Sequence, residues 1–164
     1  MEKAPLFTAA QCQAQIARLA VQILEANYGQ PALYLLGIEG QGAALAQMLA
    51  DEINKREPAK VSVGIIKLPK HAGTLPQVQL HGLATELLPG SAVVLIDDVL
   101  NTGQTLAYAF TWLMGHSPAI VQVGVLVGRD HRRYPIAPDF VGHRVSTTLE
   151  AHIEVVLGQG VYLV

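Results

Sequence analysis

Two adjacent carboxylates lie between an apolar run and a short glycine-containing loop in residues 93–105. Val93 to Ile96 predict a strand over 92–97 that is buried on both faces. Asp97 and Asp98 stand where this strand is expected to end, and 101–105 leads into a helical pattern. Ligands of open α/β sheets bind at the carboxyl ends of strands, and the N–H groups that begin a helix bind anions. The segment therefore predicts a ligand with vicinal hydroxyls and a phosphate, as in a sugar phosphate.

Strand and helix patterns alternate along the rest of the chain. Helices are predicted from a capping box at Thr8 to Gly29, and over 43–55 and 105–115. Strands are predicted over 32–38, 61–67, 92–97, 119–127, 139–145, 151–157 and 160–164. This alternation predicts an α/β fold with right-handed crossovers and a doubly wound, mainly parallel sheet. The last short strands are expected to form a small C-terminal extension, or hood, on one domain that covers 1–164.

Composition narrows the class of protein. Hydrophobic residues make up 51% of the chain and charged residues 15%, which is typical of a compact globular protein. No apolar run reaches the length of about 20 residues that spans a bilayer, and the N-terminus does not resemble a signal peptide. A single cysteine, Cys12, excludes an internal disulfide and fits a cytoplasmic location. The net charge of −2 does not favour nucleic acid as a partner.

The stretch 93–105 resembles the phosphoribosyl-diphosphate signature of type I phosphoribosyltransferases: an apolar run, two acids, two hydrophobic residues and Thr-Gly-x-Thr. Residues 125–148 look like the matching segment of the bifunctional pyrimidine-operon regulator and uracil phosphoribosyltransferase group, and 33–50 agrees in placement. The resemblance implies an enzyme that transfers the phosphoribosyl group of phosphoribosyl diphosphate to a uracil-like base and releases pyrophosphate. It also implies Mg²⁺ as cofactor and a homodimer or larger homo-oligomer.

The resemblance assigns roles to the acids and to two loops. Asp97 and Asp98 would accept hydrogen bonds from the ribose hydroxyls. The 5′-phosphate would be held by Thr102, Gly103, Gln104 and Thr105. Pyrophosphate would be bound by Glu39, Gly40, Gln41 and Gly42. Related regulators usually carry Lys and Arg in this second loop, so Glu39 and Gln41 depart from the pattern. A carboxylate there repels a diphosphate unless Mg²⁺ bridges the two or Glu39 points away. The resemblance implies that Mg²⁺ arrives with the diphosphate, near Asp97.

Further candidates follow the later strands. Arg129 is placed to reach the diphosphate or the base, as a catalytic residue. Phe140 and Val141 lie where relatives stack the base and bond its edge, although Phe140 is equally explained as a core residue. Thr147 and Thr148 are expected to line the same pocket. The segment 68–82 is expected to form a lid, and it lacks the charged lid motif of related proteins.

Asn101 bears on the choice of base. Phosphoribosyltransferases that act on 6-oxopurines generally hold Asp at the matching position, where it handles a proton of the base. Asn101 cannot ionise, which favours a pyrimidine over a purine. Two alternatives stay open: a nucleotide-sensing regulator that binds RNA, which the charge does not favour, and a catalytically weak ligand-binding homologue. No histidine spacing predicts a metal site made of protein side chains alone.

Overall fold

The computed structural model describes residues 4–69, 77–147 and 151–164. Three helices are present in these ranges: α1 (Ala9–Ala26), α2 (Gln41–Arg56) and α3 (Gln104–Met114). The strands are β1 (Phe7–Thr8), β2 (Leu33–Ile38), β3 (Val61–Lys67), β4 (Gln79–His81), β5 (Ala92–Leu100), β6 (Ile120–Arg129), β7 (Phe140–Val145), β8 (Ile153–Val156) and β9 (Gly160–Leu163). A short 3₁₀ helix covers Thr85–Leu87.

Six of the strands form the central sheet, in the order β4-β3-β2-β5-β6-β7. All neighbours are parallel except β3 and β4, which are antiparallel. Helices α1 and α2 cover one face of the sheet, and α3 covers the other. The doubly wound, mainly parallel α/β fold predicted from the sequence is confirmed. None of the described helices has the length and apolar character that a bilayer span requires.

The hood differs from the predicted C-terminal extension because both ends of the chain build it. Strand β9 lies between β8 and β1, and all three are antiparallel. A strand of two residues is too short to show a periodicity in the sequence, so β1 was not predicted. The ring of Phe7 in β1 stacks on His143 in β7, with the ring centroids 3.6 Å apart. This stack fastens the hood to the edge of the central sheet.

Strand β5 continues beyond the predicted end at residue 97. It runs to Leu100, so Asp97 and Asp98 lie within the strand. The parallel neighbour β6 causes this difference, because it pairs Asp97 with Val125 and Leu100 with Gly128. The ladder of backbone hydrogen bonds thus extends beyond the apolar run from which the strand was predicted. The capping box at α1 is present as predicted, with the Thr8 Oγ1 accepting from the N–H of Gln11 at 3.2 Å.

Glycines allow the turn between β2 and α2 to lie very close to its neighbours. A Cβ atom at Gly37 would be 2.6 Å from the Cα of Ala43 and 2.7 Å from the carbonyl oxygen of Gly42. A Cβ at Gly42 would be 3.0 Å from Oδ1 of Asp97 and from the carbonyl oxygen of Ile96. Any side chain at these positions would push α2 away from the central strands.

We expect Gly37→Ala to destabilise the protein, because the added methyl meets backbone atoms that cannot rotate away. Overpacking of this kind costs about 1–3 kcal/mol, and each kcal/mol lowers the Tm of a chain of this size by about 2–4 °C. Thermal unfolding followed by circular dichroism measures the change. Gly128→Ala is the matched control, since the new methyl meets only a side-chain carbon of Val141 at 3.1 Å. A Tm for Gly37→Ala at or above that of the control would contradict the expectation.

Candidate functional site

An open cleft of about 490 Å³ lies at the carboxyl end of the central sheet. Its floor is the continuous segment 97–106, which includes the acid pair, Asn101 and the predicted phosphate loop. Gln41 contributes from the first turn of α2, and residues 152–156 of the hood form the opposite wall. The cleft thus brings together Asp97, Asp98 and all of 101–105, as the sequence predicts for a single site.

The acid pair is electrostatically strained. The backbone N–H of Asp98 donates to Oδ1 of Asp97 at 2.9 Å, so this carboxylate oxygen already accepts one hydrogen bond. Burial raises the pKa of Asp97 well above its ordinary value, and the neighbouring carboxyl of Asp98 raises it further. Asp97 nonetheless keeps some exposure toward the cleft. Hydroxyl groups or a cation that bind here would relieve this cost by bonding to the charged oxygens.

The loop before α3 presents backbone donors to the cleft. Gly103 adopts a left-handed conformation with φ 88°, which turns the chain sharply into the helix. Oγ1 of Thr102 accepts from the N–H of Gln104 at 3.3 Å. The carbonyl oxygen of Thr102 accepts from the N–H groups of Arg133 and Tyr134, at 2.9 and 3.1 Å, which supports the loop from behind. The first N–H groups of a helix have no acceptor within it, so this end of α3 suits a phosphate.

The predicted pyrophosphate loop has its side chains engaged elsewhere. Glu39 forms an ion pair with Lys67 at the end of β3, at 3.7 Å. Oε1 of Gln41 accepts from the N–H of Leu157 in the hood at 3.3 Å. The carboxylate of Glu39 thus lies beside Lys67 at the end of β3, and Gln41 connects α2 to the wall of the cleft. Of the loop 39–42, Gln41 is the residue that lines the cleft in the described part of the chain.

Arg129 is the last residue of β6 and reaches the loops on both sides of it. Its Nη1 donates to Oδ1 of Asn101 at 3.2 Å, and its Nη2 donates to Oγ1 of Thr147 at 2.7 Å. Nε2 of His131 lies 3.0 Å from the carbonyl oxygen of Thr147. The structure therefore brings Arg129, Asn101 and Thr147 together, next to the floor of the cleft. Thr148 lies outside the described residues.

Phe140 and Val141 are placed away from the cleft. Phe140 is only 6% exposed and belongs to the hydrophobic core on the α1 and α2 face. The carbonyl oxygen of Val141 accepts from Nη2 of Arg18 at 3.0 Å, so it already has a donor. Both residues stand at the start of β7, where Phe140 pairs with Gly124, while the cleft lies beyond the ends of the strands. Of the interpretations that the sequence left open for Phe140, this placement supports the core residue.

The hood wall of the cleft was not predicted from the sequence. His152, just before β8, and Glu154, within it, are both exposed, and both line the cleft. A strand was predicted over 151–157, but no local signal linked it to an acid pair more than fifty residues earlier in the chain. Of the predicted lid, 77–82 includes the edge strand β4, whereas 70–76 lies outside the described residues.

The family follows from the sequence profile of the phosphoribosyl transferase domain, which matches residues 6–158. The chain belongs to the phosphoribosyltransferase family. Among curated relatives, it is 36% identical over 154 residues to Bifunctional protein PyrR of Acetivibrio thermocellus, covering 90% of this chain and 84% of that protein. It is 37% identical over 150 residues to Bifunctional protein PyrR 1 of Lactiplantibacillus plantarum, covering 87% and 83%. These matches confirm the resemblance and the phosphoribosyltransferase class inferred from the sequence.

Solved structures of the family share the fold. The hypoxanthine phosphoribosyltransferase of Trypanosoma cruzi aligns with a TM-score of 0.81, covering 98% of this chain and 95% of that chain at 18% identity. A hypoxanthine-guanine phosphoribosyltransferase from Bacillus anthracis aligns with a TM-score of 0.74, covering 88% and 84%, also at 18% identity. At these identities the agreement concerns the architecture of the phosphoribosyltransferase domain, not the base that each protein accepts.

We expect Asp97→Asn to stabilise the protein at neutral pH. Because the pKa of Asp97 is raised on folding, its contribution to stability is complete below the ordinary value of 3.8 and is lost as pH rises through the raised pKa. Asn carries no charge and keeps the oxygen that accepts from the N–H of Asp98. The Tm of the variant should therefore exceed that of the wild type at pH 7.5, and the difference should shrink toward pH 4.

Thermal unfolding at several pH values measures this difference. Asp51→Asn serves as the control, since Asp51 is an exposed carboxylate on α2. The same Tm difference at every pH, or a variant less stable than the wild type at pH 7.5, would contradict the role of burial at Asp97.

Proposed function

We propose that this protein transfers the phosphoribosyl group of phosphoribosyl diphosphate to a pyrimidine base, uracil or a close analogue, and releases pyrophosphate. The observation that carries the proposal is the cleft in which the acid pair and the N-terminus of α3 face one ligand space. This arrangement fits the two ends of a ribose 5-phosphate. The acids match the vicinal hydroxyls, and the backbone donors at 102–105 match the phosphate.

The chemistry follows from placing the sugar in this way. A ring nitrogen of the base attacks the anomeric carbon while the bond from that carbon to pyrophosphate breaks, through a transition state with oxocarbenium character. Asp97 and Asp98 hold the ribose hydroxyls, so the anomeric carbon stays aligned between the base and the leaving group. The loop Thr102–Thr105 anchors the far end of the sugar. No covalent nucleophile is required, and catalysis comes from positioning and electrostatic stabilisation.

The donor set of the cleft fits Mg²⁺. Its described lining includes the carboxylates of Asp97, Asp98 and Glu154 but no lysine or arginine, although the donor substrate is strongly anionic. The described residues do not contain a group of three metal-ligating side chains that would hold an ion unaided. Mg²⁺ commonly binds through one or two carboxylates together with substrate phosphates. When bound, it would supply the positive charge that a departing pyrophosphate requires, with Asp97 or Asp98 as its protein contact.

Two observations support a pyrimidine as the acceptor. Asn101, at the end of β5, cannot take a proton from a base, whereas enzymes for 6-oxopurines generally use Asp there. The curated relatives at 36% and 37% identity are named PyrR. The group that residues 125–148 resemble includes uracil phosphoribosyltransferases. The purine enzymes among the solved structures are much more distant in sequence, at 18% identity.

An RNA-binding regulator is the second candidate, because the group that the sequence resembles includes pyrimidine-operon regulators, and the relatives are named "Bifunctional protein". The net charge of −2 favours the enzyme over this regulator, because a protein that binds RNA needs a basic surface. Several described cations also have acidic partners, since Lys55 and Arg56 contact Glu52 and Lys60 contacts Glu57. Retardation of a pyrimidine-operon leader RNA in a gel at moderate salt would favour the regulator.

We expect incubation with phosphoribosyl diphosphate, Mg²⁺ and uracil to yield uridine 5′-monophosphate and pyrophosphate. Hypoxanthine and guanine should react at least about tenfold more slowly, because Asn101 lacks the acid–base group that their reaction uses. Chromatography of the nucleotides and a coupled assay for pyrophosphate measure the products. Donor binding without nucleotide formation from any base would instead identify a ligand-binding homologue, and a preference for purines would overturn the choice of base.

The double variant Asp97→Asn, Asp98→Asn should lose donor affinity by about 100-fold or more, since each charge-assisted hydrogen bond contributes about 1.5–3 kcal/mol. Thr102→Val should lose about tenfold or less, because the backbone donors of the loop remain. Calorimetric titration with phosphoribosyl diphosphate and Mg²⁺ measures both, and circular dichroism checks that each variant is folded. A folded double variant with wild-type affinity would refute the assignment of the ribose to these acids.

A further inference from the structure

Arg129 connects the ends of two strands on either side of its own. Gly128, just before it in β6, pairs with Leu100 of β5, and Arg129 itself pairs with Val145 of β7. Its guanidinium extends past both ends, donating to Asn101 after β5 and to Thr147 after β7. The positive charge thus lies at the carboxyl edge of the sheet, between the floor of the cleft and the loop after β7.

The contact with Arg129 determines how the side-chain amide of Asn101 is turned. A guanidinium group has only donors, so the atom that faces it at 3.2 Å must be the carbonyl oxygen of the amide. The amide is planar, so its NH₂ group points away from Arg129. Asn101 is exposed and lines the cleft, and within the described ranges its NH₂ has no hydrogen-bond acceptor. A donor is thereby left for the ligand.

Thr147 holds the guanidinium in this position. Its hydroxyl oxygen accepts from Nη2 of Arg129 at 2.7 Å, a short hydrogen bond at the opposite end of the group from Asn101. The carbonyl oxygen of Thr147 in turn lies 3.0 Å from Nε2 of His131. Bonds at both ends restrict the rotation of the guanidinium, and with it the rotation of the amide.

We propose that Arg129 orients Asn101 so that its NH₂ donates to the base, and that the site therefore selects bases presenting a hydrogen-bond acceptor there. Such an acceptor is a carbonyl oxygen or an unprotonated ring nitrogen. The inference rests on the proposed function, since it takes the cleft as the site of phosphoribosyl transfer. Asn101 is the specificity-determining residue, and Arg129 is a positioning residue that acts through it.

Aspartate at position 101 would favour the opposite kind of base, because it differs from asparagine only in having an oxygen in place of the NH₂ group. Aspartate at position 101 would keep an oxygen toward Arg129 and present a second oxygen to the base. That oxygen accepts hydrogen bonds and protons, so it would select a base with an N–H group at this point. Asn101 has almost the same shape but presents a donor. Asn101→Asp therefore reverses the polarity of the hydrogen bond and leaves the contact with Arg129 in place.

The test measures the affinity of nucleotides that differ in one acceptor atom, by calorimetric titration. The ligands are uridine 5′-monophosphate, its analogues with O2 or O4 replaced by sulfur, inosine 5′-monophosphate, and its analogue with N7 replaced by C–H. Loss of one good hydrogen bond corresponds to about tenfold in affinity. For the wild type, we expect one of these replacements to weaken binding by about that factor while the others change it little.

The variants separate orientation from a merely structural role. Arg129→Met should bring the affinity ratio of parent to analogue close to one, and Asn101→Asp should bring it to one or below because its oxygen repels the acceptor, even if binding of all ligands weakens. Arg133→Met is the matched control, because Arg133 is an exposed arginine four residues away whose backbone, not its side chain, supports the phosphate loop. This control should keep the wild-type ratio.

Three results would overturn the inference. Equal binding of parent and analogues by the wild type would show that Asn101 donates to none of these acceptors. An unchanged ratio in Asn101→Asp would show that another group provides the selection, and an unchanged ratio in Arg129→Met would remove its positioning role. These failures are distinct from failure of the proposed function, in which no nucleotide binds to the wild type at all.

Discussion

The close packing of the first turn of α2 against Asp97 fixes the geometry of the whole cleft. Gly42 lies so near the carboxylate and the backbone of β5 that no side chain fits between them. Gly37 similarly lets β2 turn directly into α2. The acid pair and the first turn of α2 are therefore packed directly against each other. A ligand that bonds to the acids is automatically placed beside the start of α2, and the hood wall then determines how much room remains.

The central architecture was predictable because its signals are local. Parallel strands buried on both faces appear as continuous apolar runs. The loop before α3 is marked in the sequence by Thr102, Gly103 and Thr105. The extent of β5 was not predictable, since Asp97 and Asp98 look like the end of a strand. Only the neighbouring β6, which keeps pairing up to Gly128, extends the strand past them.

The rest of the site depends on contacts between distant parts of the chain. Gln41 and Leu157 are 116 residues apart, and Asn101 and Arg129 are 28 apart, yet each pair is joined by a hydrogen bond. No periodicity or motif encodes such contacts. The same reason applies to Glu39, whose charge looked unfavourable beside a diphosphate. In the folded chain, Lys67 from the neighbouring strand forms a solvent-exposed ion pair with it at 3.7 Å. Departures from a family pattern are therefore understood only together with the residues that compensate them.

The hood links the cleft to strands that do not touch it. Strand β8 carries the wall residues 153–156, but its backbone is held by β9, and β9 is held in turn by β1. Within the described residues, neither β1 nor β9 lines the cleft. A molecule that bridges the acid pair and the wall would restrain β8 and, through the shared ladder, both of its supporting strands. Amide hydrogen exchange at Phe7–Thr8 and Gly160–Leu163 thereby becomes a remote measure of whether the cleft is filled.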